Sequence, residues 1–208
     1  LLMCGAAGGG AGCGKSSPAL LDSFGTHLDT LMTSKDKLSK MDGAAADLCV
    51  IENEDEFSEN DIEAPAGALF NITDQKTLYS KNANDEREIA SITKIMTALL
   101  AMKYADLSQE VTISYTPEGL ESSAVLCGFE QGDKMMLSSL LSAALIYSGN
   151  DAAIDIAIAV AGSQEAFVDM MNHESKELMT SHTHFANPTG LTQSKHYSSV
   201  YDVYLMFQ

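Results

Sequence analysis

Along the chain after residue 88, apolar residues recur every three or four positions, which is the spacing of one face of an α-helix. The stretch 88–102 has its apolar stripe at Ile92, Ile95, Met96, Leu99 and Leu100. This pattern predicts a mostly buried amphipathic helix. The same spacing predicts further helices over residues 135–147, 152–161, 164–179 and 198–207.

Shorter apolar stretches bounded by turn residues predict β-strands. Residues 66–73 and 77–80 predict a hairpin with its turn at 74–76, and residues 111–115 predict another short strand. We expect residues 116–132 to be irregular because glycines recur through them. Several helices with a few antiparallel strands predict an α+β fold.

Composition and charge divide the 208-residue chain further. A hydrophobic content of 45% suits a globular protein, and the net charge of −17 argues against a nucleic-acid partner, whose phosphates need a basic face. The acidic run 52–63 will repel itself and predicts a solvated linker. We therefore predict a partial signal region at 1–14, an acidic polar linker with a candidate strand at 47–51 over 15–64, and a folded domain over 65–208.

The first residues suggest a lipid anchor. Residues 1–7 are apolar or small, like the end of a signal peptide, and Cys13 follows small residues and precedes a polar stretch, as at a bacterial lipoprotein processing site. Cys4 is the alternative lipidated cysteine. Because the chain begins with leucine, we expect its true start to be missing. We expect an extracytoplasmic protein of the cell envelope, held on the membrane by acyl chains or secreted.

Two other functional readings are disfavoured. Residues 9–16 fit the phosphate-binding P-loop pattern, but small residues precede the string where a buried strand is required. The cysteines contain no Cys-x-x-Cys pair, and Cys49 and Cys127 lie in apolar contexts that favour buried side chains. The histidines lack metal-ligand spacing. We predict neither a cofactor nor a metal site.

Candidate chemistry begins at the start of the first helix. Ser91 and Lys94 are three residues apart, which places hydroxyl and amine on one helical face within hydrogen-bonding reach. Burial at a helix N-terminus would lower the pKa of Lys94, so that the amine could take the proton of Ser91. The alternative is a helix cap beside a surface lysine, and residues 34–37 contain the same Ser-x-x-Lys pattern in a polar stretch.

A second candidate lies at the corner between two later helices. Ser148, Gly149 and Asn150 form a tight turn that could aim both polar side chains into a cleft. The alternative is that these side chains only cap the adjoining helices. A similar three-letter string at 58–60 lies within the acidic run, so the pattern alone does not decide.

Four segments in order carry a family resemblance. They are Leu78–Asn82, Ala90–Thr97, Tyr147–Ala153 and His184–Leu191. Together they resemble the low-molecular-mass penicillin-binding proteins, which are serine-type D-Ala-D-Ala carboxypeptidases. The resemblance runs from about residue 66 to the end of the chain and implies the fold shared by β-lactamases and penicillin-binding proteins. It identifies residues 65–208 with the N-terminal portion of their catalytic domain.

The resemblance also implies roles for individual residues. Ser91 would be the nucleophile that attacks the bond between the two terminal D-alanines of a peptidoglycan stem peptide, and Lys94 its general base. Ser148 would relay a proton to the leaving D-alanine, and Asn150 would hold substrate and Lys94. Penicillins would acylate Ser91. The loop of residues 184–191 would be structural and carry no chemistry.

The sequence departs from this family in one respect. No Lys-Thr-Gly motif follows Leu191, so we expect the chain to lack the last strands of the catalytic sheet and to have little activity by itself. Three alternatives remain open at this stage. A D,D-endopeptidase would use the same residues, a class A β-lactamase would show Ser-Asp-Asn in place of Ser148–Asn150, and a peptidoglycan-binding protein would keep the scaffold without catalysis.

Overall fold

The computed structural model describes residues 48–51, 62–115 and 120–208. The candidate lipidation sites Cys4 and Cys13, the P-loop-like string at 9–16, the second Ser-x-x-Lys string and most of the acidic run lie outside the described residues. Within the described ranges, no helix is both long enough and apolar enough to cross a bilayer.

Five α-helices are present in the described ranges. In chain order they are α1 (Lys94–Tyr104), α2 (Leu137–Ile146), α3 (Asn150–Ala161), α4 (Gln164–Glu177) and α5 (Val200–Phe207). A 3-10 turn at Ala90–Thr93 leads directly into α1. Helices α4 and α5 are capped by the residues that precede them, Ser163 and Ser199, whose side chains each accept a backbone N–H from the first helical turn. All five helices that the apolar spacing predicts are present, with ends within two residues of the predictions except at the start of α1, which lies six residues later because residues 90–93 form the 3-10 turn.

Two small antiparallel sheets accompany the helices. Strand β1 (Gly67–Asn71) pairs with β2 (Lys76–Lys81), which confirms the predicted hairpin. Strand β3 (Glu110–Thr112) pairs with β4 (Lys134–Met136). The prediction of a helix from residue 135 is wrong at its start, because Met135 and Met136 continue the apolar stripe of α2 but pair with β3 instead.

Helix α3 occupies the centre of the fold. Its first eight residues are buried, and it packs against α1, α2 and α4. Two of its buried residues are carboxylates that hold surrounding loops. Asp151 accepts the backbone N–H groups of Cys127 and Gly128, and Asp155 accepts those of Ser114 and Tyr115. The loops before β4 are therefore anchored on the same helix that begins with Asn150.

Helix α5 joins the hairpin to the rest of the molecule. The ring of Tyr204 stacks on Phe70 of β1 with 4.2 Å between ring centroids, and its hydroxyl accepts the backbone N–H of Cys49. Cys49 is fully buried, as its apolar context predicts, and Val50 bridges to Lys76 of β2. Cys127 is only partly buried.

Replacing Asp151 by alanine should destabilise the protein. The change leaves two loop N–H groups without their charged acceptor, and we expect the free energy of unfolding to fall by about 3 kcal/mol. Denaturant titration followed by circular dichroism measures the difference. Asp169→Ala on the exposed side of α4 is the matched control and should change stability by less than about 0.5 kcal/mol. Equal stabilities of the two variants would contradict the anchoring role.

Candidate active site

The structure brings Ser91 and Lys94 together at the start of α1. Ser91 lies in the 3-10 turn and is exposed, whereas Lys94 is the first residue of α1 and only 2% exposed. The Lys94 Nζ atom lies 3.2 Å from the Ser91 Oγ atom. An accessible hydroxyl thus lies beside an enclosed amine, which is the arrangement that a nucleophile and its base require.

The corner between α2 and α3 brings two further side chains to this pair. The Ser148 hydroxyl donates to Ser91 Oγ over 2.7 Å, and Lys94 Nζ lies 3.5 Å from Ser148 Oγ and 2.9 Å from Asn150 Oδ1. Among the described residues, no side-chain hydrogen bond caps the start of α3, where Gly149 is the capping residue. The side chains of Ser148 and Asn150 therefore contact the Ser91–Lys94 pair, and the structure brings all four predicted site residues together.

Neighbouring groups fix the orientation of the Asn150 amide. Its Nδ2 atom donates to the Val125 carbonyl over 3.1 Å, so that Oδ1 faces Lys94. The carbonyl oxygen of Thr189 also accepts from Lys94 Nζ, over 2.7 Å. These two oxygens can only accept, and they match the two N–H groups of a neutral amine. The nitrogen lone pair is then left for the Ser91 hydroxyl proton.

The environment of Lys94 favours this neutral form. Burial lowers the pKa of Lys94 from 10.5 to about 8, while Cys127 and Asp151 oppose the shift. At pH 7 about a tenth of the molecules would hold Lys94 as a neutral amine, compared with fewer than about one in a thousand for a lysine in water. A base with this pKa is suited to proton transfer near neutral pH.

The Thr189 carbonyl is a site group that the sequence analysis missed. It belongs to the loop for which we predicted no chemistry, and Asn187 shapes that loop by accepting the N–H groups of Thr189 and Gly190 on its Oδ1 atom. The Asn-Pro-x-Gly pattern indicates a turn. A backbone carbonyl has no residue-type signature, so its contact with Lys94 could not be predicted from the residue pattern.

Close backbone packing holds the loop against the 3-10 turn that carries Ser91. Gly190 has a φ of +86°, and a Cβ atom on it would lie 1.8 Å from the Ala90 carbonyl oxygen. Ala90 and Ser148, which flank the site, also have positive φ angles of +44° and +58°. Such angles are unfavourable for residues with side chains and are common at functional sites. Only glycine at position 190 allows the loop to approach this closely.

Comparison with known proteins places the fold and the family. A mutant of a Streptomyces DD-transpeptidase superposes with a TM-score of 0.65 at 28% identity, covering 70% of this chain and 60% of that one. A penicillin-binding protein of Listeria monocytogenes in its cefotaxime-bound form superposes with a TM-score of 0.60 at 26% identity, covering 69% and 60%. The fold is therefore that of the penicillin-binding and DD-transpeptidase class, and the α+β prediction is confirmed.

Sequence comparison defines the family. A family model described as D-alanyl-D-alanine carboxypeptidase matches residues 53–208. The D-alanyl-D-alanine carboxypeptidase DacF of Bacillus subtilis (strain 168) is 40% identical over 149 residues, which are 69% of this chain and 38% of DacF. The chain belongs to the D-alanyl-D-alanine carboxypeptidase family, as the four motifs predict. It spans less than half of the length of DacF.

Replacing Gly190 by alanine should disrupt the contact between loop and turn. Gly162 has nearly the same φ, +84°, but nothing lies within 4 Å of its missing Cβ atom, so Gly162→Ala carries the backbone strain alone. We expect Gly162→Ala to lower the free energy of unfolding by about 1 kcal/mol. Gly190→Ala should lower it by at least about 2 kcal/mol more, because the Ala90 carbonyl must move. Denaturant titration of both variants measures this difference. Equal losses of stability in the two variants would contradict the close approach of Gly190 to Ala90.

Proposed function

We propose that the protein is a serine-type D-Ala-D-Ala carboxypeptidase that removes the terminal D-alanine from peptidoglycan stem peptides through an acyl-enzyme on Ser91. One observation carries the proposal: the Ser91 hydroxyl lies within hydrogen-bonding distance of both Lys94 Nζ and Ser148 Oγ. Membership of the D-alanyl-D-alanine carboxypeptidase family supports the same substrate class.

Acylation begins with proton transfer from Ser91. Neutral Lys94 takes the hydroxyl proton while Ser91 Oγ forms a bond to the carbonyl carbon between the two D-alanines. The carbonyl electrons move to its oxygen, and the backbone N–H of Ser91 is the proposed donor to the oxyanion that forms. The contacts from Asn150 and Thr189 hold the amine in place during this transfer.

The intermediate then collapses with loss of D-alanine. The C–N bond breaks, and the leaving nitrogen needs the proton now held by Lys94. Ser148 is placed to relay it, because its hydroxyl lies 3.5 Å from Lys94 Nζ and 2.7 Å from Ser91 Oγ. Water next attacks the ester carbon and transfers a proton to Lys94. The ester C–O bond then breaks, Lys94 returns this proton to Ser91 Oγ, and the shortened peptide is released.

The proposal extends to inhibitors and location. β-Lactams resemble the D-Ala-D-Ala end and would acylate Ser91, in keeping with the cefotaxime-bound Listeria relative. A peptidoglycan substrate places the protein in the cell envelope outside the cytoplasm. We further propose an acyl anchor at Cys13, with secretion in soluble form as the alternative; the support for this anchor is the pattern of small residues around Cys13.

The nucleophile can be tested with a fluorescent penicillin. We expect the full-length protein to take up one covalent label, carried by the peptide that contains Ser91, and Ser91→Ala to lose it. Ser34→Ala, in the other Ser-x-x-Lys string, is the matched control and should label fully. Release of free D-alanine from a stem pentapeptide then identifies a carboxypeptidase. Cleavage of cross-linked dimers without that release would indicate an endopeptidase, and an unlabelled protein would contradict catalysis at Ser91.

The rate of labelling should depend on pH through Lys94. Because burial lowers the pKa of this amine to about 8, the reactive neutral form increases as pH rises and saturates above that pKa. We expect the second-order rate constant to rise about tenfold per pH unit below pH 8 and to level off above about pH 9. Stopped-flow measurement between pH 6 and 10 records the profile. Lys94→Arg, which stays charged, should react slowly throughout, and a flat wild-type profile would contradict the assignment.

A further inference from the structure

A buried histidine lies beside the site without belonging to the Ser91–Lys94–Ser148 group. His196 is only 5% exposed, and both nitrogens of its ring are bonded. Its Nδ1 atom accepts the backbone N–H of Ala186 over 3.0 Å, and its Nε2 atom lies 2.7 Å from Thr93 Oγ1. The ring therefore links the loop that carries Thr189 to the 3-10 turn that carries Ser91.

These two contacts determine where the ring proton resides. Because the Ala186 N–H can only donate, Nδ1 must carry the lone pair, and the proton lies on Nε2. His196 then donates to the Thr93 hydroxyl. Burial lowers the pKa of His196, and the nearby His184 lowers it further, so that the neutral tautomer persists at neutral pH. The ionisable groups around the ring are His184 and, across the adjoining cavities, Glu86, Arg87, Glu88, Lys195 and Tyr197.

The link acts close to the catalytic lysine in sequence and in space. Thr93 immediately precedes Lys94, and Ala186 lies three residues before Thr189, whose carbonyl accepts from Lys94 Nζ. One turn along α1, Thr97 donates to the Pro188 carbonyl over 2.7 Å. The loop is thus bonded to α1 and its leading turn at three points, through His196 to Thr93, through Thr189 to Lys94 and through Pro188 to Thr97.

We propose that His196 is a positioning residue that holds the Thr189 loop on Lys94 and keeps water away from the lysine amine. This inference rests on the proposed function and adds a residue to its machinery. Without the link, the bonds from Lys94 and Thr97 still hold the loop and the fold persists. The loop beside Thr93 opens, however, and Lys94 becomes better hydrated, which makes it a less available base at neutral pH.

The test compares pH profiles of Ser91 acylation by a penicillin in the full-length protein. His196→Asn can still accept from Ala186 but is too short to reach Thr93, and Thr93→Val removes the partner hydroxyl. We expect either change to raise the midpoint of the profile by about one pH unit, which makes acylation about tenfold slower at pH 7 and equally fast at pH 10. The double variant should shift no further, because both changes remove one contact.

A matched control and a direct measurement complete the experiment. His182→Asn makes the same substitution in the neighbouring segment, where the backbone N–H of His182 bonds Asp202, and should leave the profile unchanged. The pKa of Lys94, followed by NMR on lysine labelled at Cε, should rise in His196→Asn and Thr93→Val alike. This titration needs no activity, so it tests His196 even if the wild-type protein takes no label.

Two results would overturn the inference. An unchanged Lys94 titration in both variants would show that His196 does not control the environment of the amine. A rate that falls equally at every pH, together with a lower melting temperature, would assign His196 a structural role alone. Failure of the wild-type protein to become acylated would instead overturn the proposed function, with the NMR titration still deciding the role of His196.

Discussion

The site depends on the enclosure of one amine. Lys94 lies at the first position of a helix, and oxygens from three separate parts of the chain surround its Nζ atom. They belong to the 3-10 turn that carries Ser91, the α2–α3 corner and the loop after α4. In water an ammonium is strongly solvated, and here that solvation is replaced by a few fixed acceptors. The charged form of the amine loses more solvation free energy than the neutral form does, and this difference is what makes a lysine usable as a base.

The surrounding fold can be understood as the support for this enclosure. Helix α3 is buried at its N-terminal end, so Asn150 is fixed by the core of the molecule. The carboxylates of Asp151, the next residue, and Asp155, about one turn further on, hold the loops that cover this end of α3. Backbone packing between Gly190 and Ala90 brings the third part of the chain into contact. The amine is thus held by long-range contacts, which form only when the whole domain is folded.

Much of this arrangement could be predicted from the sequence, and the exceptions have identifiable physical causes. Amphipathic spacing is a local property, and it located both ends of α3, α4 and α5 to within two residues, whereas α1 begins six residues after its predicted start because residues 90–93 form a 3-10 turn. It failed at β4, where Met135 and Met136 fit the stripe of α2 but are paired by the distant β3. The short patterns at Ser91 and Ser148 indicated the chemistry, because side-chain identity is visible in a sequence. The Thr189 carbonyl and the contacts of His196 could not be predicted in this way. The partner of a backbone carbonyl and the hydrogen bonds of a buried imidazole ring are determined by tertiary packing.

The contrast in exposure between Ser91 and Lys94 has a consequence for the size of molecule that the site can serve. The Ser91 hydroxyl lies at the molecular surface, while the Lys94 amine that would activate it is buried. A reactant can therefore meet the hydroxyl at the molecular surface without entering the protein. For the stem-peptide substrate proposed above, this would leave the bulk of the covalent network outside the protein while one free end is processed.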